Sequence, residues 1–148
     1  MKAVFAAAAL VLSTAPLASA QSILGTWTCV RSTADNDAVS NVTFSENGRL
    51  DVLVNIDFLG LDQKVSAQAR YRSDFQLTNG MLSDTPVSAY VSKLTIDGQD
   101  ARRSEHAETL RQALLEDSNA SAKVTFTFTS ENYMILSADK APINCVRM

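Results

Sequence analysis

The sequence is poor in the residues on which most site chemistry depends. Among 148 residues there are two cysteines, one histidine, three prolines and five glycines. Two cysteines exclude a disulfide-dense scaffold and the usual four-ligand Cys/His zinc site. The five glycines do not cluster, so no phosphate-cradling loop is present, and so little Gly and Pro excludes a fibrous chain. Thirteen basic residues face sixteen acidic ones, a net charge of −3, where a nucleic-acid binder needs concentrated basic surface. At 46% hydrophobic the chain is too apolar for a disordered tail, and its length suggests one domain.

The only long apolar run is at the start, in Met1 to Ala20 (MKAVFAAAALVLSTAPLASA). Lys2 precedes an Ala/Val/Leu/Phe stretch, and Ala18-Ser19-Ala20 supplies small residues in the A-x-A pattern of a secretory leader. The run is shorter than the roughly 20 residues a bilayer requires. Cleavage after Ala20 is expected, leaving residues 21–148 in the periplasm or outside a bacterial-type cell, with no membrane span. Residue 21 is Gln, so the lipidated cysteine of a lipoprotein is absent.

Past the leader, the dominant period is 2. Val65, Ala67, Ala69, Tyr71, Phe75 and Leu77 share one phase against Ser66, Gln68, Arg70, Arg72, Asp74 and Gln76. The same alternation marks Leu50 to Phe58 and Val124 to Phe128, as expected of antiparallel strands with one face buried. Strands are predicted over 24–31, 39–46, 49–58, 63–77, 81–96, 122–129, 133–138 and 143–147. Pro86 predicts a bulge, bend or split within the fifth. Asn47-Gly48 and Asn79-Gly80 read as two-residue hairpin turns. Between strands, 104–118 reads as a helix with Ala107, Leu110, Ala113 and Leu114 on one face, Ser104 as its N-cap and Asn119 as its close. Its narrow apolar stripe suits packing against the domain better than docking to a membrane or partner.

Cys29 falls in the first predicted strand and Cys145 in the last. With export and no third thiol, a disulfide between them is expected, the alternative being reactive thiols. A bridge needs Cα atoms within about 7 Å, which puts the first and last strands side by side and favours a closed barrel. The expected fold is thus all-β, an antiparallel up-and-down barrel of about eight strands with one helical insert at 104–118.

The segment Ile23-Leu24-Gly25-Thr26-Trp27 opens the first strand with Gly-x-Trp. That motif, the strand count and a terminal arginine resemble the calycin superfamily, above all short bacterial lipocalin-like domains. The resemblance implies a barrel base formed by Gly25, Trp27 and Arg147, with Arg147 packed over Trp27. It also implies binding of a small apolar molecule. The Thr-Asp-Tyr motif of many lipocalins is missing, and no helix follows the last strand. Candidate inward residues are Trp27, Phe44, Phe58, Tyr71, Phe75, Phe126, Phe128 and Tyr133. Of these, Phe44, Tyr71, Phe126 and Tyr133 are the candidate ligand contacts, against the alternative of a barrel filled by its own side chains. His106 lies between Glu105 and Glu108 beside no nucleophile motif, and Asp51 and Asp57 lie on a solvent phase. The expectation is a monomeric non-enzyme with no cofactor and no metal. A second reading is an envelope protein-interaction module or protease inhibitor, with segment 32–38 and the approach at 140–142 as contact points.

Overall fold

The computed structural model describes residues 22–117, 124–137 and 141–148. The expected leader with its expected cleavage point, the expected cap Asn119, and Lys140 lie outside the described residues. The strands are β1 (Gly25–Ser32), β2 (Asn36–Phe44), β3 (Arg49–Phe58), β4 (Val65–Thr78), β5 (Met81–Ile96), a short β6 (Gln99–Asp100), β7 (Val124–Ser130), β8 (Tyr133–Ser137) and β9 (Pro142–Arg147). The helix α1 (Glu105–Asp117) stands between β6 and β7. No helix among the described residues is long and apolar enough to cross a membrane.

All pairings are antiparallel, in the order β4-β3-β2-β1-β9-β8-β7-β5, and β4 also pairs β5, which closes a ring of eight strands with β6 appended to β5. Traced through β5 and β4, Thr125 is level with a point about five residues before Gly25. Traced through β8 and β9 it is level with Ser32. The stagger round the ring is therefore about twelve residues, which for eight strands tilts each by about 45° from the barrel axis.

Closure is uneven. β7 meets β5 only at Met81 and Leu82, so most of β5 has no strand neighbour on that side. The chain leaves β5 at Ile96 and returns to it through Val124 opposite Leu82, with α1 as the connection. α1 packs chiefly against β5 and turns Ala107, Leu110 and Leu114 to the core. Ala113, expected on the same stripe, is exposed, because one helical turn past Leu110 the packed arc has already narrowed to Leu114.

The turns follow backbone chemistry. Asn79 and Gly80 both have positive φ, as do Asp97 and Gly98, and each pair makes a two-residue hairpin turn. Asn47-Gly48 does not. Only Gly48 is left-handed, and Ser45 N–H donates to Arg49 O across a four-residue loop. The supposed 32–38 loop is largely strand. Asp37 and Ala38 already pair with Ser32 and Arg31, leaving a tight turn in which the Thr33 hydroxyl accepts from Asn36 N–H. Around Pro86 the β4–β5 register slips between Arg72 and Ser73, the irregularity expected where a strand residue lacks an N–H.

Candidate functional site

The inward side chains fall into rows across the strands. Gly25, Phe44, Leu50, Ser73 and Pro86 share a register, then Trp27, Val42, Val52, Tyr71 and Ala89, then Cys29, Ser40, Val54, Ala69 and Val91, and last Arg31, Ala38, Ile56, Ala67 and Leu94. The first two rows start at the Gly25 end of β1, the base of the barrel, and hold the bulky groups. The last two start at its Ser32 end, the rim, and hold mainly small or branched ones.

The base is sealed by local chemistry around Gly25-Thr26-Trp27. Trp27 is fully buried and its Nε1–H donates to Ile23 O at 2.8 Å, folding the entering chain under the barrel. The Arg147 guanidinium lies 4.3 Å from the centre of the Trp27 ring. It also donates to Leu24 O at 2.8 Å, Ser22 O at 2.6 Å and Glu131 O at 3.1 Å. Gly25 has φ of +114°, and a Cβ there would come within 3.0 Å of Arg147 Nη1. The glycine is thus required both by its backbone angle and by the arginine filling the space where a side chain would go. Phe128 packs beside Trp27 at 6.1 Å between ring centres, and Phe44 meets Phe75 edge-on at 5.3 Å.

One row up, Cys29 and Cys145 are paired in register and bonded through their sulfurs, both shut off from solvent. No free thiol remains among the described residues.

The four residues singled out as ligand contacts are not brought together. Phe44 and Phe126 are inward in the base half, where Phe44 is 2% exposed and packed. Tyr71 is inward in the row of Trp27, half-buried. Tyr133 is on the outside. In β8 it is Met134 and Leu136 that are buried, and the Tyr133 hydroxyl donates to Asn144 Oδ1 on the outer face of β9. The reason is a phase error at a short strand: Tyr-Met-Ile-Leu is apolar in both phases, so period 2 cannot orient it.

Two polar interior positions escaped the sequence reading. Asp84 is opposite Phe75 on the inward phase of β5, and burial raises its carboxyl above the ordinary range. The hydroxyl of Ser73, itself fully buried, works in the opposite direction on Asp84 without a well-aligned hydrogen bond. Arg31 continues the inward phase of Trp27 and Cys29. Its Nε is closed to solvent and has no hydrogen-bond partner among the described residues. The bulge around Pro86 and the position of Arg31 near a strand end hid both from a periodicity count.

Elsewhere chemistry is sparse. No group of three His, Cys, Asp or Glu among the described residues is placed to hold a metal. His106 is exposed on the first turn of α1. Asp51 pairs with Arg72 at 3.0 Å on the outer face, and Asp57 also points outward. One open cleft lies outside the barrel, lined by Leu53, Arg70, Arg72 and Tyr90. A second lies under the base, beside Ile23, Phe75 and Phe126. Neither belongs to the rim. No protein-family model and no curated protein matches the chain.

Proposed function

We propose that the protein is an exported, lipocalin-like barrel that carries a small apolar molecule at its rim end. The observation that carries this reading is the asymmetry of the closed ring. The base is sealed by Trp27, Arg147 and the aromatic residues, whereas the rim end is lined by Ala38, Ala67 and Ala69, with one helix packed along β5. An eight-stranded ring is either filled by side chains or holds one small ligand, and small inward residues at one end favour the second use there. The Cys29–Cys145 disulfide supports an oxidising compartment, in keeping with the leader. The Gly25-Thr26-Trp27 entry and the Arg147 contact support the lipocalin likeness.

The test is a thermal-shift screen of the folded chain against fatty acids, isoprenoids and pigments. Stabilisation by one class is expected, and a flat response to every class overturns the reading. A second use rests on the outer face, where Val30, Val39 and Val146 are each more than two-fifths exposed and Val30 pairs directly with Val39. Such a patch suits a protein partner. Val30→Glu and Val39→Glu would then abolish capture of that partner without altering ligand-induced shifts.

A further inference from the structure

The outer wall of β3–β5 carries polar groups and an aromatic ring that the fold itself leaves unused. Leu53, Arg70 and Tyr90 share one cross-strand row, and Asp51, Arg72 and Ser88 share the next. All six are on the solvent phase and line the open cleft outside the barrel, which is about 370 Å³ in volume. Tyr90 is 64% exposed, and its hydroxyl makes no hydrogen bond among the described residues. Arg70 is exposed and joins no ion pair among them. Arg72 uses only its Nε, which donates to Asp51 Oδ1 at 3.0 Å. The Arg72 Nη donors and Asp51 Oδ2 are therefore left open beside each other. Leu53, half-buried, puts an apolar surface between these groups.

A sugar ring has a face of C–H groups that lies flat on an exposed aromatic, and an edge of hydroxyls that both donate and accept. Tyr90 supplies the aromatic, with Leu53 beside it. Arg72 Nη and Asp51 Oδ2 supply a donor and an acceptor for neighbouring hydroxyls. A polyacidic peptide would meet the Asp51 carboxylate as a like charge and has no ring to lay on Tyr90. Arg70 sets the remaining preference, because a guanidinium with no carboxylate of its own takes one from a ligand through two parallel donors. We infer that this outer cleft binds an acidic oligosaccharide, a uronate-type ring lying on Tyr90 with its carboxylate on Arg70. An open cleft suits a chain laid across the wall, where an enclosed small ligand would need a deeper pocket. The cleft is on the outer wall, so it stands or falls independently of the rim carrier.

The experiment titrates the folded chain by calorimetry with three hexamers: hexagalacturonate, neutral maltohexaose and hexaglutamate. Hexagalacturonate should bind at least tenfold more tightly than either of the others. Tyr90→Ala should weaken it at least tenfold, and Tyr90→Trp should keep it. Arg70→Ala should bring hexagalacturonate down to the level of maltohexaose and lower its salt dependence. Both residues are exposed, so each variant should melt with the wild type. Should a variant melt well below it, amide shifts of the wild-type chain on titration with hexagalacturonate decide instead. They should cluster at Leu53, Arg70 and Tyr90, and shifts confined to other residues overturn the inference. Equal binding of hexaglutamate makes the patch a bare cluster of cations and overturns it, as does binding of hexagalacturonate that survives Tyr90→Ala. Equal binding of maltohexaose removes the part given to Arg70 and likewise overturns it. Binding of none of the three overturns the site and leaves the rim reading untouched.

Discussion

Arg147 and Gly25 depend on each other at the scale of single residues. The arginine occupies the space a Cβ at residue 25 would need, and in return it supplies donors to two carbonyls of the entering chain and a cation over Trp27. Gly25→Ala should therefore destabilise by about 1–3 kcal/mol, through strain at positive φ and displacement of the guanidinium. Trp27→Ala should cost about 3–5 kcal/mol, measured by denaturant unfolding, because it empties the sealed base; a loss under about 1 kcal/mol would make Trp27 peripheral. Asp84 responds to pH in the direction opposite to most carboxylates. Its folded-state pKa is raised by burial, so the folded protein favours the protonated form. That contribution is complete below the unfolded pKa and is lost as pH rises through the folded one. Asp84→Asn should match the wild type in the most acid range and become progressively more stable than it as pH rises towards neutrality. A stability difference independent of pH would show that Asp84 is not buried in its charged form.

The elements differ in how firmly they are held. β1 to β4 are joined by long, uninterrupted ladders, whereas α1 is fastened by Ala107, two leucines and its packing on β5. Its charged contacts are on the surface. Arg111 grips Glu108 at 2.6 Å and, with Gln112, holds that carboxyl down to about 2, but the pair lies at the surface, where such contacts contribute little. Native-state hydrogen exchange should show α1 amides opening at lower free energy than those of β2 and β3, with no unfolding of the ring. Protection of α1 equal to that of β2 would make the helix an integral part of the wall. On the outer face, Asp37 directly opposes Asp57 across β2 and β3. Like charges so placed repel, and Asp57→Lys should stabilise by about 0.5 kcal/mol in low salt, less in high salt.

For the whole molecule, the disulfide and the ring state the same fact in two ways. Cys29 and Cys145 are 116 residues apart in sequence and directly opposite in the β1–β9 ladder. A loop of that length makes the bridge worth roughly 4–5 kcal/mol if it acts by constraining the unfolded chain. Cys145→Ser should melt well below the wild type under oxidising conditions and close to it in reductant. Equal melting of oxidised and reduced wild type would mean that the ladder alone determines closure.

Period-2 alternation with Gly and Asn turns located nearly every strand, because in a half-buried antiparallel strand the side-chain period is set locally. The Gly-x-Trp entry, the terminal arginine and the two cysteines were likewise readable, since each needs only its residue type and its place near a chain end. Tyr133 was misassigned because its strand is apolar in both phases, so which face is buried depends on the neighbouring strands. Asp84 and Arg31 became interior residues only through register, the first past a bulge and the second at a strand end. The sequence by itself determined an all-β chain with a tied first and last strand. Only the tertiary structure decided how far the strands stagger and which charges face inward, because both arise from pairing between strands distant along the chain.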